Sequence, residues 1–408
     1  MGSSTPLQKE DKEECLLIKS ELVLHGRDKW LGGELGPDKS TIYCVPGTAG
    51  RILRICSTTD TLSYVGPPLV SPITTCSLRR NEFKWLRGIC VGNSIYCLPA
   101  NADSILKITH APTPEEVQID FIGGPFLGIW KWHGGALSPH DNNIYCIPCN
   151  STSVLKIDTT TDVCTVLKNS YNVDTKEAMQ ERQKWYGGLV GDDGCIYGIP
   201  NSATSVLKIN PADETVELMG PVPPGQFKWH GGVVSRDSNG DVALYGVPSH
   251  YNAVLKIVPR TGKVALMNCF EETLHDSMPK GRVNGGKYKY GGAVVDPESF
   301  NVYCFPSDAC RVLKINVKTQ VCSVIGPYFE NFGFNKWQNG YYKNGYIYAI
   351  PCNANKILRI HPASDTVDLV GEGWEGIEKW EGGVEANGSL YCVPQQETRV
   401  LKITPLEM

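Results

Sequence analysis

The amino-acid sequence predicts an all-β chain folded as an eight-bladed β-propeller. Each blade has four antiparallel strands, and an N-terminal strand closes the ring by completing the last blade. Three observations predict this. One unit recurs eight times along 408 residues. Every unit consists of short β-branched and aromatic runs broken by Gly, Pro, Asn and Asp, which mark strands and turns. The last copy lacks its fourth strand, whereas a strand-like stretch with no other place precedes the first copy. Four-stranded units repeated four to eight times describe a propeller, in which no blade can bury both of its faces alone.

The repeat is read from three blocks. The first is Lys-Trp-x-Gly-Gly, as in Lys131-Trp132-His133-Gly134-Gly135, with Trp at 30, 85, 132, 185, 229, 337 and 380. The sixth copy is degenerate, reading Lys287-Tyr288-Lys289-Tyr290-Gly291-Gly292. The second block is Ile-Tyr-Cys-x-Pro or close to it, with Tyr at 43, 96, 145, 197, 245, 303, 348 and 391. The third is Val/Ile-Leu-Lys/Arg-Ile, and its Leu follows the Pro by seven residues in every copy. An alternating run such as Val216-Glu217-Leu218-Met219 follows. These blocks become strands A to D. Residues 1–15 form a flexible polar N-terminus, 16–408 one propeller domain, and 16–25, centred on Leu16 to Leu24, the closing strand that spares the last blade an unpaired edge. Only residues 175–183, inside a loop, have the character of a short helix.

Composition excludes several classes. The chain is 41% hydrophobic and 20% charged, with a formal net charge of −4, so bulk attraction to nucleic acid is not expected. No apolar run approaches the ~18 residues of a membrane helix, so no membrane insertion is expected. Residues 1–14 hold no apolar segment of a secretory signal, which points to a cytoplasmic monomer. Sixteen cysteines then read as reduced thiols. Cys44, Cys97, Cys146, Cys304 and Cys392 share one repeat position with Gly198, Gly246 and Ala349, a place that selects small volume rather than sulfur.

Function is sought on the face carrying the B–C and D–A connections, where the long insertions 67–83, 169–183 and 268–286 gather. The Lys of each Lys-Trp, Lys29 and Lys84 and more notably Lys131, Lys184, Lys228, Lys336 and Lys379, should ring the channel mouth, where a lysine ring would take an anionic ligand. The residue after Trp varies between copies, giving Leu31, Leu86, His133, Tyr186, His230, Tyr290, Gln338 and Glu381. Variation inside a fixed frame marks His133, His230, Tyr186 and Glu381, with His250 in a B–C loop, as ligand-binding candidates. Two His with a carboxylate could also serve a metal or acid–base site. No phosphate-binding glycine loop, HExxH or nucleophile elbow occurs, so no catalytic residue is assigned.

Segments such as "VLKIDTTTDVCTVL" and "VLKINPADETVELMG" resemble strands C and D of streptogramin-lyase-like and NHL-type propellers. The Lys-Trp-x-Gly-Gly and Tyr-x-x-Pro blocks depart from that pattern. The resemblance implies a shared fold, and no His-Glu-His set of those metal-dependent lyases aligns with this chain. The expectation is therefore a non-enzymatic scaffold, without cofactor, that binds a protein segment or an anionic small ligand at the loop-rich face and channel mouth. The alternative is a small-molecule lyase or hydrolase using a divalent metal. A lectin-like multivalent binder, with sites between blades, is third.

Overall fold

Blade 1 illustrates how one unit folds. Strand A (Trp30–Leu35), strand B (Thr41–Pro46), strand C (Ile52–Cys56) and strand D (Thr61–Val65) form one antiparallel sheet in the order A-B-C-D. Strand B is buried along its whole length and strand D only in part, so burial falls towards the outer edge. The C–D turn places Asp60 in the left-handed region at φ 54°, a conformation that Asp tolerates well. The computed structural model describes residues 13–69, 82–167, 180–268, 287–329 and 333–405. Over these it contains eight four-stranded sheets of this kind. The loop insertions expected to be functional, and the helical stretch within 175–183, fall largely outside the described residues. Among those residues no helix is long and apolar enough to cross a membrane.

A β-bulge on strand A recurs in every blade. In blade 1, Trp30 pairs with Pro46 and Gly33 with Cys44, so Leu31 and Gly32 together oppose Val45. A bulge of this kind bends the strand and re-aims its side chains. Here it turns the residue after Trp and the first glycine towards the central channel. The register also corrects the sixth copy. Tyr290 pairs with Pro306 and Ala293 with Cys304, so Lys289-Tyr290 takes the Lys-Trp place and Gly291, not Tyr290, faces the channel.

The hydrophobic core lies between blades rather than within them. Each of eight buried clusters straddles one junction. Trp185 of blade 4, for example, packs on Tyr145 and Ile147 of blade 3. Its indole N–H donates to Ser205 O at 2.7 Å, which satisfies its one polar atom. On the face away from the candidate site, a strand-C base pairs with a C–D turn carboxylate of the next blade, as in Lys107–Asp162 at 2.6 Å and Lys402–Asp60 at 2.7 Å.

The ring closes as the repeats require. An N-terminal strand, Glu14–Leu17, pairs antiparallel with Leu401–Thr404 and completes blade 8. It lies closer to the N-terminus than the expected 16–25: Ile18 N–H still donates to Val400 O at 2.9 Å, and the chain then turns. Ile18 and Leu24 plug the junction of blades 8 and 1 instead of extending the ladder. Cys15 is therefore part of the sheet, while residues 1–12 of the expected flexible segment lie outside the described residues.

Candidate functional site

The channel mouth is built from two rungs of side chains. The lower rung is the residue that the bulge turns inward: Leu31, Leu86, His133, Tyr186, His230, Gly291, Gln338 and Glu381. The upper rung is the residue just before the Lys of each blade. There Asp28, Phe83, Trp130, Gln183, Phe227, Tyr288, Asn335 and Glu378 all adopt left-handed backbone, with φ between 48° and 53°. B–C loop side chains hold that backbone. Asn101 Oδ1 accepts the Trp130 N–H at 2.7 Å, Asn150 Oδ1 that of Gln183 at 2.8 Å, and Asp308 Oδ1 that of Asn335 at 3.0 Å. The polar B–C loops thus serve the frame. Left-handed backbone disfavours bulky side chains by roughly 1–2 kcal/mol. Phe83, Trp130, Phe227 and Tyr288 nonetheless occupy four such places.

The two rungs enclose a cavity of about 660 Å³, within the range of small-molecule sites. Its wall is divided. Blades 2 to 6 supply an aromatic arc: Phe83 lies 5.1 Å from Trp130, Trp130 stacks on His133 at 6.1 Å, and His133 stacks on Tyr186 at 3.9 Å. His230 closes edge-on to Tyr186 at 5.4 Å. Crowding by the channel wall holds His133 down to about 3 and His230, whose side chain keeps solvent access, to about 4, with Arg87 acting in the same direction on both. Both rings are neutral at physiological pH.

Blades 8 and 1 supply an acidic arc of Asp28, Glu378 and Glu381. Gln395 Nε2 donates to Asp28 Oδ1 at 2.9 Å, and Gln396 donates to the Glu378 carboxylate. The Glu381 carboxylate has no such partner among the described residues. Burial, with Asp28 and Glu378 adding to it and Arg87 opposing, pushes Glu381 up to about 7.

Arg87 is the residue that sequence reasoning missed. It takes the first-glycine place in blade 2, where Lys84-Trp85-Leu86-Arg87-Gly88 replaces Gly-Gly. That place is the waist of the channel: a Cβ on Gly134, whose φ is +87°, would stand 2.9 Å from Gly187 Cα of the next blade. The Arg87 side chain emerges there, lines the cavity and acts electrostatically on His133, His230, Glu381 and Glu34, groups spread over blades 3, 5, 8 and 1. Its guanidinium makes no hydrogen bond or ion pair among the described residues. The signal was available as a break in the Gly-Gly motif. The upper rung was also legible, since the residue before Lys varies as much as the residue after Trp.

The lysine ring is overturned. Lys131, Lys184, Lys228, Lys336 and Lys379 are buried, as are Lys29, Lys84 and Lys289, and none lines the cavity. Their ammonium groups donate to backbone carbonyls of the preceding blade's B–C loop. Lys184 Nζ reaches Cys149 O at 2.8 Å and Ser151 O at 2.9 Å, and Lys131 Nζ reaches Ala100 O at 2.9 Å and Ala102 O at 2.7 Å. Lys228 bonds Ala203 O, Lys336 bonds Ser307 O, Lys379 bonds Cys352 O, and Lys29 latches blade 1 to Gln395 and Glu397 of blade 8. Burial lowers Lys184 to about 8, which still leaves an ammonium at neutral pH. A ligand cannot reach these groups, so an anionic ligand would not be held by them. Of the remaining candidates, His133, His230, Tyr186 and Glu381 line one cavity. His250 stands behind the rim, 4.5 Å from Tyr288 and 5.3 Å from Phe227 between ring centroids. Among the described residues no three His, Cys, Asp or Glu side chains gather so as to hold a metal ion.

Solved structures place the architecture among known propellers. A streptogramin B lyase is 13% identical, with 97% of this chain and 98% of that chain covered, at a TM-score of 0.54. Virginiamycin B lyase from Staphylococcus aureus is 12% identical over 96% of this chain and 100% of its own, at 0.52. The kinship is of fold. A computationally designed protein, Ika8, matches at 0.59 with 9% identity over 93% of this chain and 100% of its own, so the likeness follows architecture rather than chemistry. No known protein family and no curated protein matches the chain.

Proposed function

We propose that the protein is a non-enzymatic binding propeller that takes a small anionic molecule with a flat apolar portion in its channel mouth. One observation carries this reading: Arg87 presents a guanidinium without a hydrogen-bonding partner among the described residues, in a cavity walled by aromatic rings. A guanidinium matches carboxylate or phosphate in a two-pronged geometry, and the exposed Arg87 side chain is open to such a group. The Trp130–His133–Tyr186 stack lines the same cavity and supplies apolar surface beside it. A multivalent lectin-like reading draws less support, because buried lysines and cores fill the repeated places between blades. The lyase alternative rests on the shared fold and on His133, His230 and Glu381 facing one cavity.

Calorimetry with phenylacetate and its uncharged isostere phenylacetamide tests the proposal. The acid should bind more tightly, and Arg87→Ala should weaken it by at least about tenfold, the cost of one charge-assisted pair. Equal binding of acid and amide, or indifference to Arg87→Ala, would overturn it. Turnover of a bound ester or lactone that Glu381→Gln abolishes would favour the enzyme.

A further inference from the structure

Arg87 and Glu381 face the same cavity with opposite charges, yet no ion pair within 4.0 Å joins them among the described residues. Arg87 acts on Glu381 only at a distance. Arg87 is solvent-exposed and Glu381 partly so, and a site that keeps two open charges of opposite sign apart is incomplete without a ligand that matches both. The wall also sets a constraint on the ligand. Arg87 is the one cationic residue among the described residues lining the cavity, because His133 and His230 are neutral, whereas Asp28, Glu378 and Glu381 are acidic. A purely anionic molecule that reached Arg87 would meet three carboxyl groups and bring nothing to offset them. Asp28 and Glu378 already accept hydrogen bonds from Gln395 and Gln396, which leaves Glu381 as the unsatisfied carboxylate.

We infer that the channel mouth takes a zwitterion, its anionic group at Arg87, its ammonium group at Glu381 and its apolar part against the Trp130–His133–Tyr186 stack. This rests on the anionic-ligand reading above and adds the cationic half. Both ligand charges are then matched, and Glu381 gains a charge-assisted hydrogen bond. An amine-bearing carboxylate with an aromatic or similarly flat side chain, of which the aromatic amino acids are the simplest members, fits this chemistry.

The test measures binding of three probes by calorimetry on the full chain: phenylalanine, 3-phenylpropionate, which lacks the ammonium, and phenylalanine amide, which lacks the carboxylate. Wild-type protein, Arg87→Ala and Glu381→Gln are compared. Phenylalanine should bind at least about tenfold more tightly than either truncated probe. Glu381→Gln should erase its advantage over phenylpropionate, and Arg87→Ala its advantage over the amide. If phenylpropionate equals phenylalanine on the wild type while the amide stays weak, the zwitterion inference fails and the anionic reading survives. If the amide matches phenylalanine, the anionic reading fails. Absence of binding by all three at concentrations on the order of 10 mM overturns both.

Discussion

Two kinds of basic residue in one channel region have opposite fates, and their surroundings decide which. Lys131 and its equivalents sit where carbonyl oxygens of the neighbouring blade converge, so each ammonium is consumed by the frame. Arg87 rises from the waist of the channel, where its guanidinium bonds no carbonyl among the described residues. Glu381 is the acidic counterpart, and burial makes its charge a liability to the unliganded fold. Its pKa in the folded state, about 7, lies above the ordinary 4.5. Between those values the folded protein holds more protons than the unfolded one, so this group's contribution to stability is present below pH 4.5 and lost as pH rises through 7. Glu381→Gln should therefore match the wild type near pH 4.5 and exceed it above pH 7. The gain should be about 1–2 kcal/mol after allowance for channel water, read from thermal melts across that range. A mutant no more stable than the wild type at pH 8 would contradict the burial of that carboxyl.

At the scale of elements, the bulge on strand A and the left-handed residue before each Lys do the positioning. The bulge turns two consecutive places to the channel, and the Asn or Asp of the preceding B–C loop clamps the left-handed turn. Variation among the channel side chains is thereby confined to a few places per blade that can change without disturbing the ladder. The closing strand has a different task. Glu14–Leu17 covers the strand-C edge of blade 8, and without it Leu401–Thr404 would expose its hydrogen-bonding groups. Deleting residues 14–18 should lower Tm by about 5 °C or more and yield oligomers through edge pairing. Differential scanning calorimetry and sedimentation velocity check this. An unchanged monomer with wild-type Tm would mean that the edge is covered by something else.

For the whole molecule, the decisive fact is that every buried cluster belongs to two blades. A blade cannot melt without dismantling both of its junctions, and the ring has no free end from which to fray. Trp185→Ala opens a cavity between blades 3 and 4 and removes the donor to Ser205 O. It should cost about 3–5 kcal/mol. The loss should shift one transition seen identically by far-UV and near-UV circular dichroism. Two resolved transitions would show that the blades unfold independently.

Much of this was legible from the chain alone, because repetition exposes what the frame needs. Tyr at 43, 96 and 145, the Pro three residues later and the constant seven-residue step to Leu determine four-stranded blades and their number. The position shared by Cys44, Gly198 and Ala349 determines that it is a place for small volume. The channel residues after Trp were also visible in every blade but the sixth, with His133, Tyr186, His230 and Glu381 as candidates. Tertiary structure alone decided which lysines are spent, since the acceptors of Lys184 are carbonyls of the preceding blade that no motif encodes. It decided that Gly291 rather than Tyr290 faces the channel, because strand register depends on pairing with Pro306 rather than on the motif's spelling. It also decided that Arg87, the acidic arc and the aromatic arc share one cavity. Residues 28, 87, 130 and 381 are scattered along the chain, and only the closed ring brings them to one mouth.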